Sequence, residues 1–212
     1  MEFDSLLKLV GDHPVFESTL LLAGNINPQI VRLQLSRWVN SGRIYQLRRR
    51  LYSIAPPYQK IKPHPYLVAN RLQNASYVSL QSALAYYGLI PEVVNITTSV
   101  STGRPEKLET KLGIYEFRHL KTDLLFGYRM TNLGEQSALV ATPEKALLDL
   151  IYLQTGGNSA AYLNELRLQN TEQLDLVLLE KQSEKFGTPK MLKAAKQIAR
   201  IISGETSKFE DL

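Results

Sequence analysis

The segment from Asn27 to Ile54 constrains the fold of this chain more than any other. Asn27 is a residue type that caps helices, and Pro28 suits the first helical position because its missing N–H leaves no hydrogen bond unmade there. Gly42 is a typical helix terminator. Between them, apolar residues recur at the spacing of one buried helix face, at Val31, Leu35, Trp38 and Val39. The pattern therefore predicts a helix over 28–40.

A short basic β-hairpin is predicted directly after this helix. Ile44, Leu47 and Leu51 flank the run Arg48-Arg49-Arg50, which we place at the hairpin tip. The turn of a helix-turn-helix is expected just before the helix, at Gly24–Asn27. A helix followed by a basic hairpin is the order of a winged helix, in which the helix enters the major groove and the wing lies on the DNA backbone.

The helix face opposite the apolar stripe carries side chains that can read DNA bases. Arg pairs with guanine edges and Gln with adenine edges, whereas Ser discriminates less. Trp38 is assigned to the core, with base stacking as the alternative. The arginines of the hairpin tip are expected to contact phosphates, which fix register without reading sequence. The base-reading candidates are Gln29, Arg32, Ser36 and Arg37, and the remaining predicted DNA contacts are Arg43, Tyr45, Gln46, Arg48, Arg49, Arg50, Lys60 and Lys62.

Charge is segregated along the sequence. The net charge is +5, yet residues 18–91 contain no Asp or Glu and nine Lys or Arg. Residues 92–212 hold sixteen acidic and fifteen basic residues and are nearly neutral. A segregated basic stretch is typical of proteins that bind polyanions, and the alternative is a solvated basic face. Because Arg71 lies in the acid-free stretch, it extends the expected positive surface beyond the winged helix.

The order of the predicted elements indicates an α+β fold, and the distribution of proline indicates two domains. Residues 55–65 contain four of the ten prolines, which is typical of a boundary or a stiff linker. We predict a winged helix-turn-helix domain over 1–56, a linker over 57–65 and a second domain over 66–212. In the second domain, helices at 66–73 and 79–87 precede strands at 95–101, 113–120, 124–130 and 137–142. Short turns between these strands favour a mainly antiparallel sheet.

Helices are expected in the last third of the chain. Thr142-Pro143-Glu144 carries a cap, a first-position proline and an acid that complements the helix dipole. Further helical segments are predicted at 160–168, 172–186 and 189–203, followed by a frayed tail over 204–212. The last helix carries a basic stripe, which is either a solvated face or a docking surface for a partner. Its members are Lys190, Lys193, Lys196 and Arg200.

No catalytic or metal-binding constellation is evident in the sequence. The chain has no cysteine, its three histidines are isolated, and it has none of the glycine-rich phosphate loops. Ser79 and Ser82 could supply a nucleophile, but no histidine is near in sequence. Asp149 is either a buried polar anchor or an exposed residue that faces a partner. We therefore expect no enzyme activity, no cofactor and no metal.

The expected compartment is the cytoplasm. No apolar run reaches the roughly 18 residues that a transmembrane helix needs, so we expect no membrane contact. The lack of cysteine fits a reducing compartment.

Five stretches resemble one family of regulators. They are LSRWVNSGRIYQLRRRLY at 35–52, YVSLQSALAYYGLIP at 77–91, FRHL at 117–120, FGY at 126–128 and TPEKALLDL at 142–150. In this order they resemble the AbiEi-like antitoxins and transcriptional regulators of type IV (AbiE) toxin–antitoxin systems. The wing of that family often has R-G-x-Y on its far strand, and in this chain Arg50 occupies the glycine position.

The resemblance implies two activities. The N-terminal domain would repress its own operon by binding inverted repeats in double-stranded DNA. The C-terminal domain would counter a co-encoded nucleotidyltransferase-like toxin, whether by direct contact or indirectly. The alternatives are a stand-alone winged-helix regulator whose second domain senses a small molecule, and an enzyme or RNA-binding module that carries a winged helix.

Overall fold

Two β-sheets organise the computed structural model, which describes residues 2–22 and 27–210, the last six of them by backbone alone. The helices are α1 (Phe3–Val10), α2 (Pro28–Asn40), α3 (Pro65–Leu72), α4 (Leu80–Tyr86), α5 (Pro143–Leu153), α6 (Ala160–Glu165), α7 (Leu176–Lys185) and α8 (Pro189–Glu210). The strands are β1 (Phe16–Glu17), β2 (Ile44–Arg48), β3 (Leu51–Ile54), β4 (Ser76–Val78), β5 (Ile96–Ser101), β6 (Glu106–Thr110), β7 (Gly113–His119), β8 (Tyr128–Leu133) and β9 (Gln136–Ala141). Short 3₁₀ turns lie at Ser18–Leu22, Thr122–Leu124 and Thr171–Gln173. The fold therefore mixes α and β structure, as predicted.

The N-terminal sheet is antiparallel, with the strand order β1-β3-β2. The helix predicted over 28–40 is confirmed as α2, and Asn27 caps it by accepting a hydrogen bond from the Gln29 N–H at 2.9 Å. Trp38 is buried and meets the Phe3 ring of α1 edge-on at 5.5 Å, so its assignment to the core is confirmed. The turn expected at Gly24–Asn27 lies, apart from Asn27, outside the described residues.

The second sheet has the strand order β6-β7-β5-β4-β9-β8. Three of its strand pairings are antiparallel, but β5–β7 and β4–β9 are parallel. The sheet is therefore more mixed than predicted, because β4 and β6 were not recognised as strands. The strand expected at 124–130 was misplaced, since Thr122–Leu124 forms a 3₁₀ turn and β8 begins only at Tyr128.

Helices cover the second sheet and form a second layer beyond it. Helix α3 packs against β4, β5 and β9, α4 packs on α5, and α7 and α8 pack on α5. The helix predicted over 172–186 is divided into a 3₁₀ turn and α7. A frayed tail was predicted from residue 204 onward, but this prediction was wrong because α8 continues to Glu210. No described helix combines the length and apolarity needed to cross a bilayer.

The proline-rich segment 57–65 is fastened to the rest of the fold. The side chain of Gln136 donates to the Lys62 carbonyl at 2.9 Å and accepts from the His64 N–H at 2.8 Å. Gln59 donates to the Ile54 carbonyl at 2.9 Å. These contacts hold the segment in one path, so it is not a free tether between two mobile bodies.

The hydrophobic core crosses the boundary predicted at residue 56. Leu47 of β2 and Leu51 of β3 are buried in the same apolar cluster as residues of α3, α4 and α5. The pairing of β2 with β3 shifts register between Gln46 and Arg48, and this bulge gives β2 one extra residue. The end of the hairpin next to its tip is thus packed into the core of the second sheet, whereas Ile44 and Ile54 at its base belong to the N-terminal core.

Candidate nucleic-acid interface

The exposed face of α2 carries all four predicted base-reading residues. Gln29, Arg32, Ser36 and Arg37 are exposed, whereas the residues of the apolar stripe are buried except for the half-buried Val39. Ile30 and Leu33 add exposed apolar surface to the same helix, with 61% and 54% of their surface accessible. A helix with this division presents polar, cationic and apolar groups together, which is the combination that base edges and thymine methyl groups require.

The hairpin tip consists of Arg49 and Arg50, both exposed, between β2 and β3. Arg50 has a φ of 69°, in the left-handed region that non-glycine residues seldom adopt. This is the position where the resembling family often has glycine. The arginine is therefore held in a conformation that glycine would adopt at lower cost.

A cleft of about 500 Å³ separates α2 from the hairpin. Arg32 of α2 lines one side, and Gln46, Arg49 and Arg50 line the other. Val31 and Leu35 contribute to its apolar floor, and Ser18, Thr19, Leu22, Pro28 and Tyr52 complete the lining. The fold therefore brings Arg32 together with the predicted hairpin contacts, whereas Gln29, Ser36 and Arg37 lie on α2 outside the lining of this cleft.

Arg48 is placed differently from its two neighbours. Its Nη1 donates to the Leu72 carbonyl of α3 at 2.9 Å and lies 3.1 Å from the Glu106 carboxylate of β6. Its charge is thus partly neutralised within the protein. Arg48 joins the hairpin to the second sheet, and its role as a phosphate contact stays a prediction that this geometry does not favour.

Several other predicted contacts also have partners within the protein. Lys60 forms an exposed ion pair with Asp12 at 3.2 Å, and the guanidinium of Arg43 lies 5.1 Å from the centre of the Phe3 ring. Tyr45 is half-buried and packs against the core of the second sheet. By contrast, no ion pair forms within the described part of the chain at Arg32, Arg37, Arg49, Arg50, Lys62 or Arg71.

No family model matches the chain, and no curated protein is significantly similar to it.

A buried polar centre joins α5 to β4, and its ion pair was not recognised from the sequence. Lys145 and Asp149 of α5 form an ion pair in which both side chains are fully buried. The other carboxylate oxygen of Asp149 accepts hydrogen bonds from the Tyr77 hydroxyl at 3.0 Å and the Ser79 hydroxyl at 2.8 Å. The i,i+4 spacing of Lys145 and Asp149 was the sequence feature that could have indicated this ion pair.

Aromatic rings complete the surroundings of Lys145. Its Nζ lies 4.7 Å from the ring centre of Phe126, 5.0 Å from that of Phe186 and 5.5 Å from that of Tyr77. Burial lowers the pKa of Lys145 and raises the pKa of Asp149, because both charged forms lose water. Burial, together with the adjacent Asp149 carboxylate, also raises the pKa of the Tyr77 hydroxyl.

This polar centre is structural. Lys145, Asp149 and Ser79 have no accessible surface, so a substrate could reach them only through rearrangement of the core. Of the two interpretations of Asp149, the buried anchor is the one found. The hydroxyl of Ser79 is committed to Asp149, and that of Ser82 donates to the Ile96 carbonyl at 3.1 Å. Within the described residues, no cluster of three His, Asp or Glu could hold a metal ion.

The basic stripe of α8 is divided by the fold. The Nζ of Lys190 donates to the carbonyls of Tyr152 and Gln154 at 3.1 and 2.7 Å, and so caps the end of α5. Partial burial lowers the pKa of Lys190. The other three members of the stripe, Lys193, Lys196 and Arg200, are exposed. Only these three remain as candidates for contact with a partner.

Proposed function

We propose that this chain is a sequence-specific DNA-binding regulator whose N-terminal region acts as a winged helix-turn-helix. The observation that carries the proposal is the cleft between α2 and the hairpin. It places Arg32 of α2 beside Arg49 and Arg50, and none of these three arginines forms an ion pair within the described residues. In this arrangement α2 reads base edges in the major groove, and the hairpin tip lies against the phosphate backbone.

We further propose that the second half is an antitoxin domain in the cytoplasm. The support is the resemblance to AbiEi-like regulators, which rests in part on the TPEKALLDL stretch of this chain, the stretch that supplies the buried Lys145–Asp149 pair. In this proposal the chain represses its own operon through inverted repeats and opposes a co-encoded nucleotidyltransferase-like toxin. Neither activity requires a cofactor or a catalytic step by this chain.

Footprinting on the DNA upstream of the gene tests the regulatory half. We expect protection of an inverted repeat, with an affinity that falls steeply between 50 and 300 mM salt, because phosphate contacts release counterions. Arg37→Ala should weaken binding and relax the preference at one base pair, whereas Arg49→Ala should weaken binding to all sequences alike. Arg200→Ala on α8 removes the same charge outside the proposed interface and serves as the control.

Binding that is insensitive to salt, or a footprint without a repeat, would contradict DNA regulation by this chain. If Arg37→Ala and Arg49→Ala lower the affinity equally for every DNA sequence, the division between base reading and phosphate contact is contradicted. The exposed face of α2 would then contribute charge alone.

Co-expression with the neighbouring gene tests the antitoxin half. If that gene encodes a nucleotidyltransferase-like toxin, growth should be restored by the wild-type chain and also by the Arg49→Ala/Arg50→Ala double variant, which leaves the second sheet intact. Co-purification of the two products would indicate direct neutralisation. An isolated gene without a toxin neighbour, combined with a rise in unfolding temperature on adding a metabolite, would instead support a ligand-sensing regulator.

A further inference from the structure

A second basic cleft lies on the other side of the hairpin tip and reaches the second sheet. Its volume is about 300 Å³, and Arg71, in the last turn of α3, lines it opposite Arg49 and Arg50. Glu17, Arg48, Leu51, Leu72, Gln73 and Asn74 complete the lining. We call it the Arg71 cleft. The hairpin tip therefore has one cleft toward α2 and another toward α3.

The Arg71 cleft holds an excess of positive charge. Arg49, Arg50 and Arg71 form no ion pair with any described residue, and Arg48 is already paired with Glu106. Glu17 is the one carboxylate of the lining, and its Oε2 accepts a hydrogen bond from the Thr19 hydroxyl at 3.4 Å. Three guanidinium groups around one cleft repel each other, and a bound anion would relieve that repulsion.

Both walls of the Arg71 cleft are held in place before any ligand arrives. The hairpin wall is fixed by the hydrogen bond from Arg48 to the Leu72 carbonyl. On the opposite wall, the Gln73 side chain donates to the Ser101 hydroxyl at 2.6 Å, and the Ser76 hydroxyl donates to the Gln73 carbonyl at 2.6 Å. Binding an anion in a preformed cleft costs less ordering than gathering flexible side chains around it.

We propose that the Arg71 cleft binds a phosphate group, and that in the regulator this phosphate belongs to the nucleic-acid backbone. Guanidinium groups are planar and match phosphate oxygens through paired hydrogen bonds. The contact surface then crosses from the hairpin onto α3 of the second sheet. Two sources of phosphate have this chemistry: the nucleic-acid backbone, which we call the backbone source, and the free phosphate ion, which we call the free-ion source. The assignment to the backbone source rests on the proposed DNA binding.

Fluorescence anisotropy with a fluorescein-labelled duplex of random sequence tests the backbone source. A 30-base-pair probe of random sequence can be used, because phosphate contacts do not depend on sequence. We expect Arg71→Ala to lower affinity about five- to tenfold at 0.1 M KCl and to reduce the slope of log affinity against log salt by about 0.9. Arg71→Lys should keep the slope because it keeps the charge. Circular dichroism would verify that each variant unfolds at the wild-type temperature.

Arg200→Ala is the matched control, since it also removes one exposed helical arginine. If Arg71→Ala lowers affinity and slope no more than Arg200→Ala does, the backbone source is refuted. The proposed function would survive that result provided that Arg49→Ala still reduces the slope. If the wild-type chain shows no salt-dependent binding to the duplex, the proposed function fails. The measurement with the free phosphate ion then determines whether the Arg71 cleft binds phosphate.

Thermal unfolding in potassium phosphate and in potassium chloride of equal ionic strength tests the free-ion source. A phosphate-specific rise in the wild-type Tm that is lost in Arg71→Ala, with Arg200→Ala unchanged, supports a phosphate site filled by the free ion. If phosphate raises the Tm of Arg71→Ala as much as that of the wild type, and Arg71→Ala also binds the duplex like Arg200→Ala, the proposal is overturned.

Discussion

The hairpin tip and the centre of α5 use positive charge in opposite ways. Arg49 and Arg50 are exposed and form no ion pair within the described residues. Lys145 is fully buried, paired with Asp149 and surrounded by aromatic rings. A charge without water must be paired in order to be tolerated, whereas a charge in water remains free to bind. Loss of Lys145 should therefore lower the free energy of unfolding, whereas loss of Arg49 should weaken only the contacts that Arg49 makes with a ligand.

Lys145→Met should produce the greatest change in stability. It leaves the Asp149 carboxylate buried without its cation, and breaking such a pair costs about 3–5 kcal/mol of unfolding free energy. Chemical denaturation followed by circular dichroism would measure the loss. The double variant Lys145→Met/Asp149→Asn should recover part of it, because the neutral amide can still accept from Tyr77 and Ser79. A loss below about 1 kcal/mol in the single variant would show that the centre tolerates an unpaired carboxylate.

Arg48 and Arg49 provide a matched pair of neighbours with different roles. Arg48→Ala removes the contacts to Glu106 and the Leu72 carbonyl, and we expect it to lower the free energy of unfolding by about 1 kcal/mol. Arg49→Ala should leave stability within about 0.5 kcal/mol of wild type and reduce the salt slope of DNA binding instead. Urea unfolding and anisotropy on both variants would make the comparison. The opposite assignment, with stability lost at Arg49, would contradict it.

Arg50→Gly should raise stability and weaken DNA binding together. Glycine adopts the positive φ of this position without the steric cost of a Cβ, so we expect a gain of about 0.5–1 kcal/mol after the entropy of glycine is subtracted. Arg50→Ala removes the same charge but keeps the strain, and it should show no such gain. Melting temperatures and duplex affinities of the two variants would separate conformation from charge.

His64 should give a small dependence of stability on pH. Burial lowers the pKa of His64, and its Nδ1 accepts the Tyr66 N–H at 3.2 Å, as the cap of α3. The unfolded chain therefore binds the proton more tightly than the folded one. The free energy of unfolding should be unaffected by His64 above its unfolded pKa of about 6.5 and should fall as the pH drops below it.

The substitution His64→Asn isolates this contribution. Asparagine can still cap α3, but it does not titrate, so the decline between pH 7.5 and pH 5.5 should become shallower. His13→Asn replaces an exposed histidine in the same way and serves as the matched control. Urea denaturation at several pH values would measure both. An unchanged decline in His64→Asn would remove His64 as its source.

Local sequence patterns were sufficient for the individual elements of the N-terminal region. The cap at Asn27, the proline after it and the apolar stripe of α2 all act within one helix, so α2 could be predicted to the residue. The exposure of Gln29 and Arg37 followed from the same periodicity. The family resemblance, and the functions that it implies, stay predictions.

Contacts between distant segments could not be predicted in this way. The partners of Arg48 lie on α3 and β6, and no local spacing indicates that this arginine differs from Arg49. The parallel pairing of β5 with β7 likewise depends on which strand lies at the edge of the sheet. The short strand β4 was missed because its three residues are too few to show alternation.

The burial of Leu47 and Leu51 in the core of the second sheet limits how this protein can be divided or recombined. A fragment ending near residue 56 would expose both leucines to water, and the remainder would lose two side chains from its interior. The hairpin therefore belongs to both halves at once. An exchange of the N-terminal region between proteins of this fold, in evolution or in the laboratory, has to carry the surface beneath the hairpin along with the hairpin itself.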